Sequence, residues 1–253
     1  MSANYLNKVA HKIAAWKWIH SRLVYMLILP AWLVVSLGLA MAVVWTLLYM
    51  LGVMHVSFIG IDTTIFQSVI AAAIYLFALL IAIGVPWLFK KETAAKELGL
   101  SRWPTWGDIG LAPVGFIVYF IASGLLVYLA SQIIGFDMAQ AQDTGFHRLS
   151  QVYEYSLAFL TLIVIAPLAE EILFRGFLYG KLRRRLPIWV AMLVTSLLFG
   201  LVHGQWNVGV DVFALSLVLC GLRETTGSIW AGVLLHMLKN SVAFFIVFIS
   251  PML

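Results

Sequence analysis

At 253 residues the chain is 63% hydrophobic and only 11% charged, where a soluble domain carries about 25% charged residues. That composition excludes a water-soluble globular protein, because too little polar surface remains to cover one. The net charge of +5 does not point to nucleic acid, since basic residues on so apolar a chain mark the cytoplasmic loops of a membrane protein. One cysteine, Cys220 in an apolar run, leaves no intrachain disulfide and no cysteine metal site.

The first 22 residues hold Lys8, Lys12, Lys17 and Arg22 among Trp16, Trp18 and Ile19. This pattern predicts a basic amphipathic helix lying on the membrane surface. The apolar run that follows is about 30 residues long and lacks a small-residue cleavage site, which argues against a cleaved signal peptide. Seven apolar runs suit membrane spans, at about 23–52, 65–89, 109–134, 155–184, 188–204, 208–222 and 228–249. The first is long enough to tilt. The sixth is short and is expected to pack inside the bundle. The predicted fold is all-α: a polytopic bundle of about seven to eight membrane helices plus the N-terminal amphipathic helix. It divides into the interfacial helix 1–22, N-terminal membrane helices 23–150 and a core 151–253 that carries the chemistry.

Of the 16 Lys and Arg, fourteen fall on one side of this layout. They lie in the N-terminus, in 90–102, in 175–185 and at Arg223. Arg148 falls on the other side and Lys239 within the last span. The positive-inside rule then puts the N-terminus in the cytoplasm and the C-terminus outside. Asp137, Asp143 and Glu154 suit the outer face. Trp32, Trp87, Trp103, Trp106, Trp189 and Trp230 lie near span ends, as interfacial aromatics do. His11, His20, His55 and His147 fall near interfaces or in loops.

A carboxylate at the centre of a membrane helix costs roughly 2.5–3.5 kcal/mol on insertion scales, yet span four carries two in succession, Glu170 and Glu171. Glu171 and Arg175 are four apart and can pair on one helix face. Glu170 is left about 100° round the helix and must meet a group on another helix or in a water-filled cavity. Spans four and five turn near Leu186 and Pro187. Glu170 lies about 16 residues before that turn and His203 about 16 after it, so both sit on the order of 24 Å from the tip. His236 and Asn240 share a face of the last span. Four polar groups from three helices are thus expected in one buried layer. Asp211 and Lys239 are further intramembrane polar residues, with a structural role expected for each.

A carboxylate taken out of water holds a proton more readily, which suits a general base near neutral pH. A histidine can share that proton, while a second histidine and an amide donate to a developing oxyanion. The set suits water attack on an amide bond. No serine or cysteine stands in a nucleophile setting. Glu170, His203 and His236 are also adequate zinc ligands, although no His-Glu-x-x-His motif is present. Direct activation of water and a zinc-bound water both remain open.

Glu170-Glu171-x-x-x-Arg175, Phe199-x-x-x-His203 and His236-x-x-x-Asn240, with the lead-in Gly221–Trp230, resemble the three signature motifs of the CAAX-processing and bacteriocin-processing (CPBP, or Abi) intramembrane endopeptidases. The likeness covers about residues 155–245. It implies a helical membrane core with a conical cavity, and a glutamic endopeptidase without a resident cofactor. Glu170 and His203 would activate water, His236 and Asn240 would stabilise the oxyanion, and Glu171 and Arg175 would support the site. The implied substrate is a membrane-associated or lipidated peptide or protein, and the implied setting a prokaryotic plasma membrane. Two other readings compete: a catalytically silent scaffold or bacteriocin-immunity protein that retains the motifs, and a proton-coupled transporter.

Overall fold

The computed structural model describes residues 3–250 except 57, 59, 91, 92, 134, 135, 138, 139, 141, 143, 147 and 148, and for 3–21 it describes the backbone alone. Among the described residues there are eight helices and no strand. They are α1 (Ala3–Val53), α2 (Thr63–Leu88), α3 (Ala95–Leu98), α4 (Trp106–Ser131), α5 (Val152–Arg183), α6 (Ile188–Leu201), α7 (Trp206–Thr226) and α8 (Trp230–Ile249). Five are long and apolar enough to cross a membrane: α1 from Arg22 onward, α2, α4, α5 and α8. The chain is an all-α membrane bundle. The backbone of α1 runs unbroken from Ala3 into its span. The side chains of Lys8, His11, Lys12, Lys17 and His20 lie outside the described residues, as do Lys91, Asp143, His147 and Arg148.

α7 occupies the centre. It packs on α4, α6 and α8 and buries Val208, Val212, Leu215, Leu219 and Cys220. At 21 residues it exceeds the apolar run at 208–222, because its ends carry polar residues that a hydropathy reading passes over. A helix enclosed by neighbours can carry Asp211 and Arg223 without setting them in hydrocarbon. The outer helices keep apolar side chains facing out. Leu27, Val69, Phe120 and Ile121 are all exposed, and so continuous an apolar surface fits a lipid-facing belt. α4 packs on α7 and α8, so the bundle continues across residue 150.

Two prolines inside helices show how the bundle satisfies its backbone. Pro86 has no N–H to give to the carbonyl of Ala82, four residues back. The Trp32 indole N–H donates to that oxygen from α1, at 3.1 Å. Trp32 is half-buried between the two helices, its indole spent on the orphaned carbonyl. In α5 the stretch Leu160–Ile165 is wound as a π-helix, and the Ala166 N–H bonds Thr161, five residues back. The next bond of that kind would run from residue 167 to Leu162, but residue 167 is proline. Asn240 Nδ2 donates to the Leu162 oxygen instead, at 2.9 Å.

The basic segments meet at one end of the bundle. Arg184 pairs with Glu97, Arg183 with Glu224 at 3.0 Å, and Arg223 Nη2 donates to the Glu97 carbonyl at 3.0 Å. The Arg185 guanidinium lies 4.0 Å over the Tyr25 ring, which brings the start of the first span to the same end.

α6 and α7 form a tight hairpin that holds His203 at its turn. A Cβ on Gly200 would stand 2.8 Å from the Gly209 carbonyl oxygen, so only glycine allows this approach. Gly200→Ala is expected to destabilise the protein by about 1–3 kcal/mol through overpacking. Thermal unfolding in detergent checks this against Gly38→Ala, whose added methyl meets no atom within 4 Å and is expected to be neutral.

Candidate active site

Glu170 and Glu171 lie midway along α5, where the helix changes pitch. A π-helical stretch begins at Glu171 and runs to Tyr179. Such stretches are rare and concentrate at functional sites. The two carboxylates face different neighbours. Glu171 is fully buried, and its Oε1 accepts from Arg175 Nη1 at 2.9 Å and from His236 Nδ1 at 3.1 Å. Glu170 is about one-sixth exposed. Its Oε1 accepts from the Tyr75 hydroxyl of α2 at 2.5 Å, and its Oε2 lies 3.8 Å from His236 Nε2.

Arg175 is fully enclosed and stacks 4.3 Å over the Phe199 ring. Phe199 is the hub of the site. Phe174 packs on it edge-on at 4.9 Å between centroids, His203 at 4.9 Å and His236 at 6.0 Å. The sixth residue of the expected set, Asn240, spends one amide hydrogen on Leu162; the amide has a second. All six are thus borne by α5, the α6–α7 turn and α8.

No hydrogen bond or ion pair joins Glu170 to His203 among the described residues. His203 lies two residues beyond the end of α6, in the turn, with Nδ1 2.7 Å from the Phe199 carbonyl. The equal-depth estimate assumed α-helical rise on both arms. Nine residues of α5 are instead π-helical and take more residues per turn.

The hydrogen bonds fix the histidine tautomers. Carbonyl and carboxylate oxygens only accept, so both Nδ1 atoms carry hydrogen and both Nε2 atoms are left for chemistry. Such an anchored imidazole is also what a metal ligand requires. Yet no three His, Cys, Asp or Glu side chains among the described residues are grouped closely enough to hold a metal ion.

Sequence reasoning missed Tyr75. The signal was a phenol in the middle of an apolar helix, where its hydroxyl needs a partner. It also missed the bond from His236 to Glu171, since nothing local links α5 to α8. Asp211 and Lys239 form a separate cluster between α4, α7 and α8. Asp211 accepts from Tyr119 at 2.7 Å and Ser123 at 2.5 Å, and Lys239 lies 3.5 Å away. His55 is exposed in the turn after α1.

Residues 153–242 match the family model described as type II CAAX prenyl endopeptidase Rce1-like. A protein of Escherichia coli named "Uncharacterized 24.3 kDa protein" is 29% identical over 129 residues, 48% of this chain and 59% of its own. "Putative membrane peptidase YdiL" of Bacillus subtilis is 23% identical over 135 residues, 51% of this chain and 55% of its own. The chain thus spans less than two thirds of the length of these relatives. No solved structure matches it. The segment 153–242, which holds all six residues of the site, is thus similar to the type II CAAX prenyl endopeptidases of the Rce1-like family model.

Proposed function

We propose that this protein is an intramembrane endopeptidase that hydrolyses a peptide bond of a membrane-associated or lipidated peptide or protein, using water activated by Glu170 and His203. The observation that carries the reading is the division of labour between adjacent carboxylates. Glu171 is fully buried, with Oε1 held by both Arg175 and His236. Glu170 keeps Oε2 clear of hydrogen bonds beside a histidine whose Nε2 is also unspent.

Glu170 takes a proton from water as the water oxygen attacks the substrate carbonyl. His203, held through Nδ1, presents Nε2 as a second acceptor that orients this water. The carbonyl oxygen becomes an oxyanion. His236 can donate to it from Nε2 when the ring is charged, and the Glu171 carboxylate on Nδ1 balances that charge. The second Asn240 amide hydrogen is a further donor. The proton on Glu170 then passes to the leaving amine, and acid and amine products separate. The reaction needs no resident cofactor in this scheme. The basic end of the bundle is assigned to the cytoplasm of a prokaryotic plasma membrane, with the bilayer and the substrate as partners and no nucleic acid.

Purified protein is expected to cleave a lipidated peptide, and His203→Gln to lower kcat by about 10²-fold or more with the fold retained. Mass spectrometry of the products measures both. Cleavage at the wild-type rate by that variant overturns the role of His203. Activity is expected to survive chelators; a loss restored by zinc would replace Glu170-activated water with a zinc-bound one.

A second reading, a silent scaffold or immunity protein, draws on the structural work that motif residues perform here, with Arg175 and Glu171 pairing in the core and Asn240 serving Leu162. It predicts full biological function in folded Glu170 and His203 variants.

A further inference from the structure

A cavity lies at the basic end, away from the site residues, and the peptidase reading makes no use of it. Its volume is about 450 Å³, and it is an open cleft lined by α3, the end of α5 and the end of α7. Four cations line it (Lys96, Arg183, Arg184 and Arg223) against two carboxylates, Glu97 and Glu224. The two carboxylates are already engaged. Glu224 accepts from Arg183 at 3.0 Å and from the Tyr179 hydroxyl at 2.7 Å, and Glu97 pairs with Arg184. The lining thus carries a net charge of +2, and Arg223 and Lys96 form no ion pair among the described residues. Arg223 bonds only the neutral Glu97 carbonyl, and its Nε is buried without a hydrogen-bond partner. Lys96 is exposed and forms no ion pair among the described residues.

The backbone builds the cavity deliberately close. A Cβ on Gly180 would stand 2.9 Å from the Glu97 carbonyl oxygen, and one on Gly176 2.9 Å from that of Leu98. Two glycines in α5 thus let α3 lie directly on that helix. The surroundings mark the level of the membrane interface. Trp103 stacks on Trp230, whose indole N–H donates to the Arg102 carbonyl. Trp87, Trp103 and Trp106 are exposed on the flanking segments, as indoles at a headgroup level are.

We propose that this cavity is a phosphate-binding site, filled by the headgroup of an anionic phospholipid or by free phosphate. A guanidinium presents a planar fork of donors that matches phosphate oxygens. The excess of cations over carboxylates supplies the charge for one phosphodiester, and the volume exceeds what a bare phosphate occupies.

The test uses the full chain in detergent, with phosphatidylglycerol, phosphatidylcholine or inorganic phosphate as probes and native mass spectrometry as readout. Phosphatidylglycerol is expected to be retained where phosphatidylcholine is lost. Lys96→Gln and Arg223→Gln are each expected to lower that retention about fivefold while peptide cleavage is unchanged. Lys96 is exposed, so its variant keeps the test valid if Arg223→Gln fails to fold. No preference between the lipids, combined with thermal stabilisation by inorganic phosphate that Lys96→Gln removes, supports the site with free phosphate as its ligand. No lipid preference and no stabilisation by phosphate overturns the proposal. So does a lipid preference that both variants leave intact. None of these readouts depends on whether Glu170 is the base.

Discussion

Glu170→Gln is expected to lower kcat by about 10²–10⁴-fold, the range for loss of a general base, with KM little changed. Glutamine keeps an oxygen that can accept from Tyr75, so the hydrogen bond that ties α5 to α2 survives. What disappears is the ability of this side chain to take a proton. Tyr75→Phe makes the complementary change. It removes the donor and keeps the base, at a cost of about 1–2 kcal/mol of positioning, or about a tenfold loss of rate. Product analysis on both purified variants, alongside their thermal unfolding, separates the two effects. A Glu170→Gln protein that cleaves at the wild-type rate removes Glu170 from the chemistry.

Arg175→Met is expected to be the most destabilising single change at the site. It leaves the Glu171 carboxylate fully buried without its countercharge, and breaking such a pair costs about 3–5 kcal/mol. It also strips the cation from the face of Phe199, a contact of about 2 kcal/mol when desolvated. Glu171→Gln is expected to cost less, because Arg175 keeps that ring. The double variant Glu171→Gln/Arg175→Met removes both charges and is expected to recover most of the stability. It is not expected to recover activity, because the carboxylate that faces His236 Nδ1 is gone. Unfolding midpoints and cleavage rates of the three proteins test both statements. A double variant as unstable as Arg175→Met alone would refute the buried-charge account.

The all-α membrane fold was legible in the sequence because bilayer thickness sets a length that apolar runs must meet. The Glu171–Arg175 pair was legible too, since spacing of four on a helix is local information. Long-range partners were not. Tyr75 and Glu170 lie on different helices, and the only hint was the cost of leaving each without a bond. The winding of α5 was not legible for a different reason. A winding change in α5 has no sharp composition signal, and it shifts every residue above it along the helix axis. The bond from Trp32 to Ala82 was not legible either, because an indole suits an interface and an orphaned carbonyl equally well. Only the neighbouring helix decides between them.

The two proline positions carry a consequence for how such a chain can vary. Pro167 and Asn240 are far apart in sequence, but the Leu162 carbonyl binds their fates together. A chain that lost Asn240 alone would keep an unserved oxygen inside the bilayer. A chain that replaced Pro167 by a residue with an N–H would release Asn240 from that duty and free its whole amide. Pro86 and Trp32 are joined in the same way through Ala82. In each pair, the order of substitution matters: the proline can be replaced first at little risk, whereas removing the donor first exposes the defect. Substitution at these sites is therefore a one-way path, set by a single missing hydrogen.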